Sequence, residues 1–160
     1  MEKIIAAVKE AGVIGAGGAG FPTYQKLLSA ADTIIVNGAE CEPLIQVDQN
    51  LMASRAELLI HTLNLITKAK KAKGIFALKK KYSSAVNVLS KSIKGTDIEL
   101  HLLPNYYPVG DEHVLTYETT GRLVPPGGIP PQVNVLVLNV ETLLNIAYAV
   151  KGIPVTEKYL

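Results

Sequence analysis

Cysteine, aromatic side chains and long apolar runs are all scarce in this 160-residue chain, and each scarcity excludes something. The single cysteine, Cys41, rules out an internal disulfide framework and any zinc or iron–sulfur site held by several cysteines of this chain. No run reaches the roughly 18 apolar residues that a membrane-spanning helix needs. Glu2, Lys9 and Glu10 interrupt the N-terminal apolar run, so no secretion signal is expected either. A cytoplasmic protein is the expectation. Charge of one sign is also lacking: 16 basic against 14 acidic residues leave a net charge of +2, which selects no partner. Lys68, Lys70, Lys71, Lys73 and Lys79–Lys81 form the densest basic run, with only Phe76 and Tyr82 interleaved. That pattern reads as a solvated helix end and loop rather than a nucleic-acid surface.

What is abundant is apolar residues, 48% of the chain, enough for one domain with a sizeable core. Their spacing alternates between two periods. Helical spacing is expected over 2–11, in a short segment after Pro22, over 48–70, 82–94 and 111–120, and over 141–151. Short β-branched or apolar runs at 33–37, 75–78, 98–103 and 133–139 read as strands. Strands alternating with helices predict a three-layer α/β/α domain, Rossmann-like, around a four-stranded, mainly parallel sheet. Ligands of such sheets bind at the carboxyl ends of the strands.

Four glycines fall within Gly15–Gly20, followed by Phe21-Pro22-Thr23. Amides with no side chain in front of them can reach phosphate oxygens or lie against a flat ring. Gly15, Gly17 and Gly20 also satisfy the dinucleotide fingerprint G-x-G-x-x-G, with Glu40 twenty residues beyond. Context opposes that reading, because a helical pattern precedes the glycines and Pro22 would fall inside a helix that began among them. Three strand exits carry unusual chemistry: Asn37-Gly38-Ala39-Glu40-Cys41-Glu42-Pro43, Tyr106-Tyr107-Pro108-Val109-Gly110-Asp111-Glu112, and Asn139-Val140-Glu141-Thr142. The fourth, Lys79-Lys80-Lys81, reads as a charge run. Cys41 between two glutamates is a poor nucleophile, since both carboxylates disfavour its thiolate. His61 and His101 read as structural or solvated, while His113 beside Asp111 and Glu112 has a local role open to it. For Glu40, Glu42, Asp111 and Glu112 two readings stand side by side: accepting ribose hydroxyls at the sheet edge, or capping helices.

Taken together, the glycine stretch with Lys26 and the three strand-exit motifs resemble the flavin domain shared by the 51-kDa subunit of respiratory complex I and the C component of Rnf-type electron-transport complexes. Gly12–Pro43, Val47–Gln49 and Pro125–Pro130 look like the soluble Rnf-C-like reductases within it, among them the cobalamin reductase of propanediol utilisation and the proline-reductase electron-transfer protein. The resemblance implies FMN as cofactor and NADH as substrate, in an NADH-dependent flavin oxidoreductase domain that passes electrons to iron–sulfur clusters on a domain or subunit outside this chain. It implies cofactor contacts at Gly15, Gly17, Gly18, Gly20, Lys26, Asn37, Glu40, Tyr107, Gly110, Asn139 and Thr142, with Phe21, Glu42 and Glu112 on the NADH side. No metal ligand and no side-chain acid or base is implied, since hydride transfer to flavin depends on stacking and orientation. The complex I proteins of the family carry an acidic residue where this chain has Ala39, and a second Asn where it has Leu138. Family members continue into a β-rich and a cysteine-rich domain, so residues 1–160 are expected to be one FMN- and NADH-binding domain from the N-terminal part of a longer protein. The alternative is a nucleotide-binding or docking module without turnover of its own, assembling with a cluster-bearing partner.

Overall fold

The computed structural model describes residues 1–18, 20–40 and 45–159. The chain opens with α1 (Glu2–Glu10), which buries Ile4 and Val8 one turn apart and is followed by Gly12 at a φ of +69°. The glycine stretch then leads to α2 (Thr23–Leu28). Pro22 stands one position earlier than the first helical turn expected for it: it is the N-cap, with φ −58° and ψ 114°. An antiparallel bridge between Ile14 and Pro22 holds it there, and the Thr23 amide donates to Val13 O at 3.1 Å.

The remaining elements are β1 (Thr33–Gly38), α3 (Val47–Lys70), β2 (Lys73–Lys79), α4 (Ser83–Ser92), β3 (Ile98–Leu103), α5 (Glu112–Thr120), β4 (Val135–Asn139) and α6 (Val140–Val150). α3 is kinked at Arg55, whose φ of −125° lies outside the helical range. β4 begins two residues later than its apolar run suggests. The prolines ahead of it set up a 3-10 turn over Pro130–Val133, and Asn134 adopts a left-handed conformation at φ +59°.

The sheet is wholly parallel, in the order β3-β2-β1-β4. Successive side chains point to opposite faces. Ile34, Val36, Phe76, Leu136 and Leu138 pack with α3, α4 and α6, and Ile35, Ile75, Ala77, Val135 and Val137 pack with Leu103, Val109 and Leu115. The helical cover is therefore heavy on one face and light on the other, where α5 and its flanking loops lie. Gly38 is required by close approach, because a Cβ there would stand 2.6 Å from Met52 Sδ on α3.

The strand order also places the site. From β1 the chain steps outward through β2 to β3 and then returns to β4 on the other side of β1, so the connections leaving β1 and β4 diverge. That is the topological switch point, where parallel sheets leave a crevice open. Asn37 and Asn139 are register partners across it.

Candidate functional site

A cleft of about 680 Å³ opens at this switch point. Ala16 and Gly17 of the glycine stretch, Asn37, Ala39 and Glu40 after β1, Asp48 at the start of α3, Gly110, and Asn139 and Glu141 at the β4–α6 junction all line it. Lys158 and Tyr159 close one side. A smaller cavity of about 70 Å³ adjoins it through Gly17 and Asn139, lined by Gly15, Phe21, Thr23, Lys26, Glu112 and Thr142 among others.

Two asparagines organise the floor. Asn37 Nδ2 donates to Gly110 O at 2.8 Å and its Oδ1 accepts from the Ala39 amide at 3.0 Å, tying the β1 exit to the loop before α5. Asn139 is the N-cap of α6, its Oδ1 accepting from the Glu141 and Thr142 amides at 2.8 and 3.4 Å. Its Nδ2 donates to Asp48 Oδ2 at 2.9 Å. Thr142 extends the chain of contacts, since its Oγ1 accepts from the Ala16 amide at 2.9 Å and pins the glycine stretch against the N-terminus of α6.

The glycine stretch is a closed loop, sealed where the Gly15 amide donates to Phe21 O at 2.8 Å. Among the described residues, no backbone carbonyl receives the amides of Gly17, Gly18 or Gly20. Gly18 and Gly20 adopt φ of +107° and +60°, and a Cβ on either would enter open space. They shape the loop and line neither space, whereas Gly17 lines the cleft and both Gly15 and Gly17 line the smaller cavity. The loop joins α1 to α2 with no strand ahead of it, so it lacks the strand–turn–helix setting of a dinucleotide fingerprint.

Lys26 reaches over β4 from α2, its Nζ donating to Val137 O at 2.9 Å and pairing with Glu112 Oε1 at 3.3 Å. The pair is partly solvated, so it contributes about 1 kcal/mol or less and leaves Lys26 able to exchange partners. Beside it, the Thr23 hydroxyl is buried without a hydrogen-bond partner among the described residues. An orphaned polar atom at a cavity wall costs about 1–3 kcal/mol until something in the cavity meets it.

Glu40 is held from three directions. Its Oε1 accepts from the Asp48 amide at 3.1 Å and its Oε2 from Gln49 Nε2 at 3.2 Å, so it caps α3, whose own N-cap Gln46 makes no side-chain cap. Its carbonyl accepts from Lys79 Nζ at 2.7 Å. Lys79 is buried and braces the backbone of a cleft residue, unlike the solvated charge run expected at the β2 exit. Asp48 is only 9% exposed. Burial first, and then the neighbouring Glu40 and Glu141 carboxylates, push its carboxyl up to about 7 against the pull of Asn139.

The structure thus brings Gly15, Gly17, Lys26, Asn37, Glu40, Gly110, Asn139 and Thr142 together, with Phe21 and Glu112 at the smaller cavity. Tyr107, 82% exposed and joined to Pro108 by a cis peptide bond, lines neither space. Glu42 and Cys41 lie outside the described residues. Asp111 is an N-cap: its Oδ1 accepts from the His113 and Val114 amides at 2.9 and 3.2 Å. His113 meets Gly128 O through Nε2 at 3.1 Å, a local tie. Ala39 lines the cleft, and Leu138 is buried at the wall of the smaller cavity. Thr23, Asp48, Gln49 and Lys79 escaped the sequence reading. Thr23 was legible as the last residue of the Phe-Pro-Thr step, and Asp48 and Gln49 within the Val47–Gln49 match, whereas Lys79 is drawn in by packing alone.

A glycine loop and a cleft with several polar side chains at the switch point of a parallel sheet define an α/β domain with its ligand crevice at the carboxyl ends of the strands. Comparison with known proteins makes the class specific: residues 8–148 match the family described as the Nuo51 FMN-binding domain, and the chain belongs to that family. It is 50% identical over 155 residues to cobalamin reductase PduS of Citrobacter freundii. It is 38% identical over 161 residues to the C component of the Na+-translocating ferredoxin:NAD+ oxidoreductase complex of Acetobacterium woodii. These alignments cover 96% of this chain and 34% and 36% of the relatives, so the chain spans about a third of their length. A crystal structure of an NAD+-reducing NiFe-hydrogenase in the H2-reduced state superposes with a TM-score of 0.76 at 28% identity, over 92% of this chain and 30% of that one. Among the described residues no helix is long and apolar enough to cross a membrane, and no group of three or more metal-ligating side chains converges.

Proposed function

We propose that this chain binds FMN in the switch-point cleft, accepts reducing equivalents there from NADH, and delivers electrons to iron–sulfur clusters on a domain or subunit outside it. The observation that carries the reading is the cleft of about 680 Å³ in which the glycine loop meets the exits of β1 and β4. That volume falls within the range of about 300–1,000 Å³ typical of small-molecule and cofactor sites.

The donor set fits FMN, and its charges favour one orientation. Glu40, Asp48 and Glu141 outnumber Lys158 at the wall of the large cleft, which suits hydroxyl groups and disfavours a phosphate. The phosphate belongs at the other end, where glycine-loop amides, the Lys26 ammonium and the orphaned Thr23 hydroxyl gather around the smaller cavity. Gly15, Gly17, Lys26 and Thr142 would hold that end, while Asn37, Glu40, Gly110 and Asn139 would line the other. Phe21 and Glu112, both exposed, would face NADH. Bound FMN supplies a two-electron acceptor that can release electrons singly, and the protein supplies placement and electrostatics.

A second reading, binding without turnover, draws on the hydrogen bonds that already engage Asn37, Glu40 and Asn139 within the protein. One experiment separates the two. Protein incubated with FMN and freed of excess ligand is expected to show the visible flavin band, and anaerobic NADH to bleach it. Flavin retention without bleaching favours the module, and no retention overturns both. Gly17→Val, whose Cβ would lie 3.9 Å from Asn139 Cβ at the junction of the two cavities, is expected to weaken FMN binding at least about tenfold with the fold intact.

A further inference from the structure

One buried group at the cleft has only a share of its charge to contribute in the flavin reading, on which this inference rests. Asp48 sits in the first turn of α3, its amide donating to Glu40 Oε1 and its Oδ2 accepting from Asn139 Nδ2 at 2.9 Å. The second bond matters because a side-chain amide has two faces. To cap α6, Asn139 must turn its oxygen toward the Glu141 and Thr142 amides, which sends its NH2 the other way, and only an acceptor placed opposite makes that orientation the better one. A flipped Asn139 would set N–H groups against N–H groups and release the start of α6, where Thr142 holds the Ala16 amide of the glycine loop.

We propose that Asp48 is a positioning residue for the cofactor cleft: its carboxyl fixes the amide of Asn139 and, through the N-terminus of α6 and Thr142, the placement of the glycine loop. The charged and titratable groups facing Asp48 are Glu40 from the β1 exit and Glu141 from α6, with Lys158 and Tyr159 lining the same cleft and Lys79 bound to the Glu40 carbonyl. Burial and the two carboxylates hold the Asp48 carboxyl up at about 7, so the contact with Asn139 passes from a neutral to a charged acceptor near neutral pH.

The test uses the 160-residue chain in two states. In the flavin-free protein, the side-chain amide NMR signals of Asn139 are expected to titrate with a midpoint of about 7 and to lose that titration in Asp48→Asn. With FMN, Asp48→Ala is expected to weaken binding about tenfold, the equivalent of one charge-assisted hydrogen bond, and Asp48→Asn, which keeps an acceptor oxygen, by no more than about threefold. If FMN binds and Asp48→Ala neither weakens it nor moves the Asn139 signals, the positioning role falls and the flavin reading stands. If the wild-type chain takes up no FMN while the Asn139 signals respond to Asp48 as stated, the flavin reading falls and the fixing of Asn139 stands. Should Asp48→Ala not fold, Asp48→Asn decides alone, and Asn139 signals that still titrate in it overturn the proposal.

Discussion

Lys79 and Asp48 show how burial changes what a charged residue does. Lys79 is one of three consecutive lysines, yet it is 8% exposed and its ammonium sits 2.7 Å from the Glu40 carbonyl, whereas Lys80 and Lys81 stay in solvent. Replacing it with methionine keeps the stem and removes the donor. Lys79→Met is expected to cost about 1–3 kcal/mol in urea denaturation, the range for leaving a part-buried carbonyl short of its strongest partner. For Asp48 the sign follows from linkage. Its pKa rises from 3.8 in the reference state to about 7 in the fold, so its contribution to stability is fully present below about pH 4 and is lost as pH rises through about 7. Asp48→Asn, which carries no titrating group, is therefore expected to flatten the fall in apo-protein stability between pH 4 and 7. An unchanged slope in that variant would contradict the assignment.

At the scale of elements, each wall of the cleft is held by a cap or a close approach. Asn139 caps α6, Asp111 caps α5, and Glu40, seven residues upstream in sequence, caps α3. Such caps are each worth about 0.5–2 kcal/mol, and here they also aim the cleft, because every capped terminus carries a cleft residue or adjoins one. Thr142→Val removes the acceptor of the Ala16 amide while keeping the side-chain shape. Hydrogen exchange at Ala16 is expected to speed up about tenfold or more, with the exchange of core strand amides unchanged. On the far side of β1, Gly38→Ala would drive a methyl toward Met52 Sδ and the Ala77 carbonyl. An overpacking cost of about 1–3 kcal/mol is expected by thermal or chemical denaturation, with flavin affinity affected less than stability.

For the whole molecule, the asymmetry of the cover is the informative feature. α3, α4 and α6 bury one face of the sheet in a large continuous core, and the lighter second face ends at the loops that form the cleft. A ligand seated where β1 and β4 part company touches the glycine loop, the β1 exit, the start of α3 and the start of α6 together, so it ties four separate segments. FMN at about a hundred times its Kd is therefore expected to stabilise the chain by about 2.7 kcal/mol, read as a rise in Tm that falls by about half or more in Gly17→Val at the same FMN concentration. Absence of any shift at saturating FMN would count against the cleft as its site.

The sequence alone determined the class of fold and the order of elements, because periods of two and of 3.6 residues, punctuated by Gly12, Gly95, Gly121 and Gly152, are local properties of the chain. It also marked the glycine loop and three polar strand exits, since residue types that weaken regular structure stand out wherever they lie. Tertiary structure decided which of those marks belong together. Strand order made Asn37 and Asn139 neighbours across 102 positions of chain, drew in Asp48 and Lys79 from segments that read as helix start and charge run, and left Gly18, Gly20 and Tyr107 off the cleft wall. Spacing in sequence fixes the face of an element on which a side chain stands, whereas the partner it meets depends on the packing of elements far apart in the chain. A polar residue becomes part of a site only when that packing takes away its water.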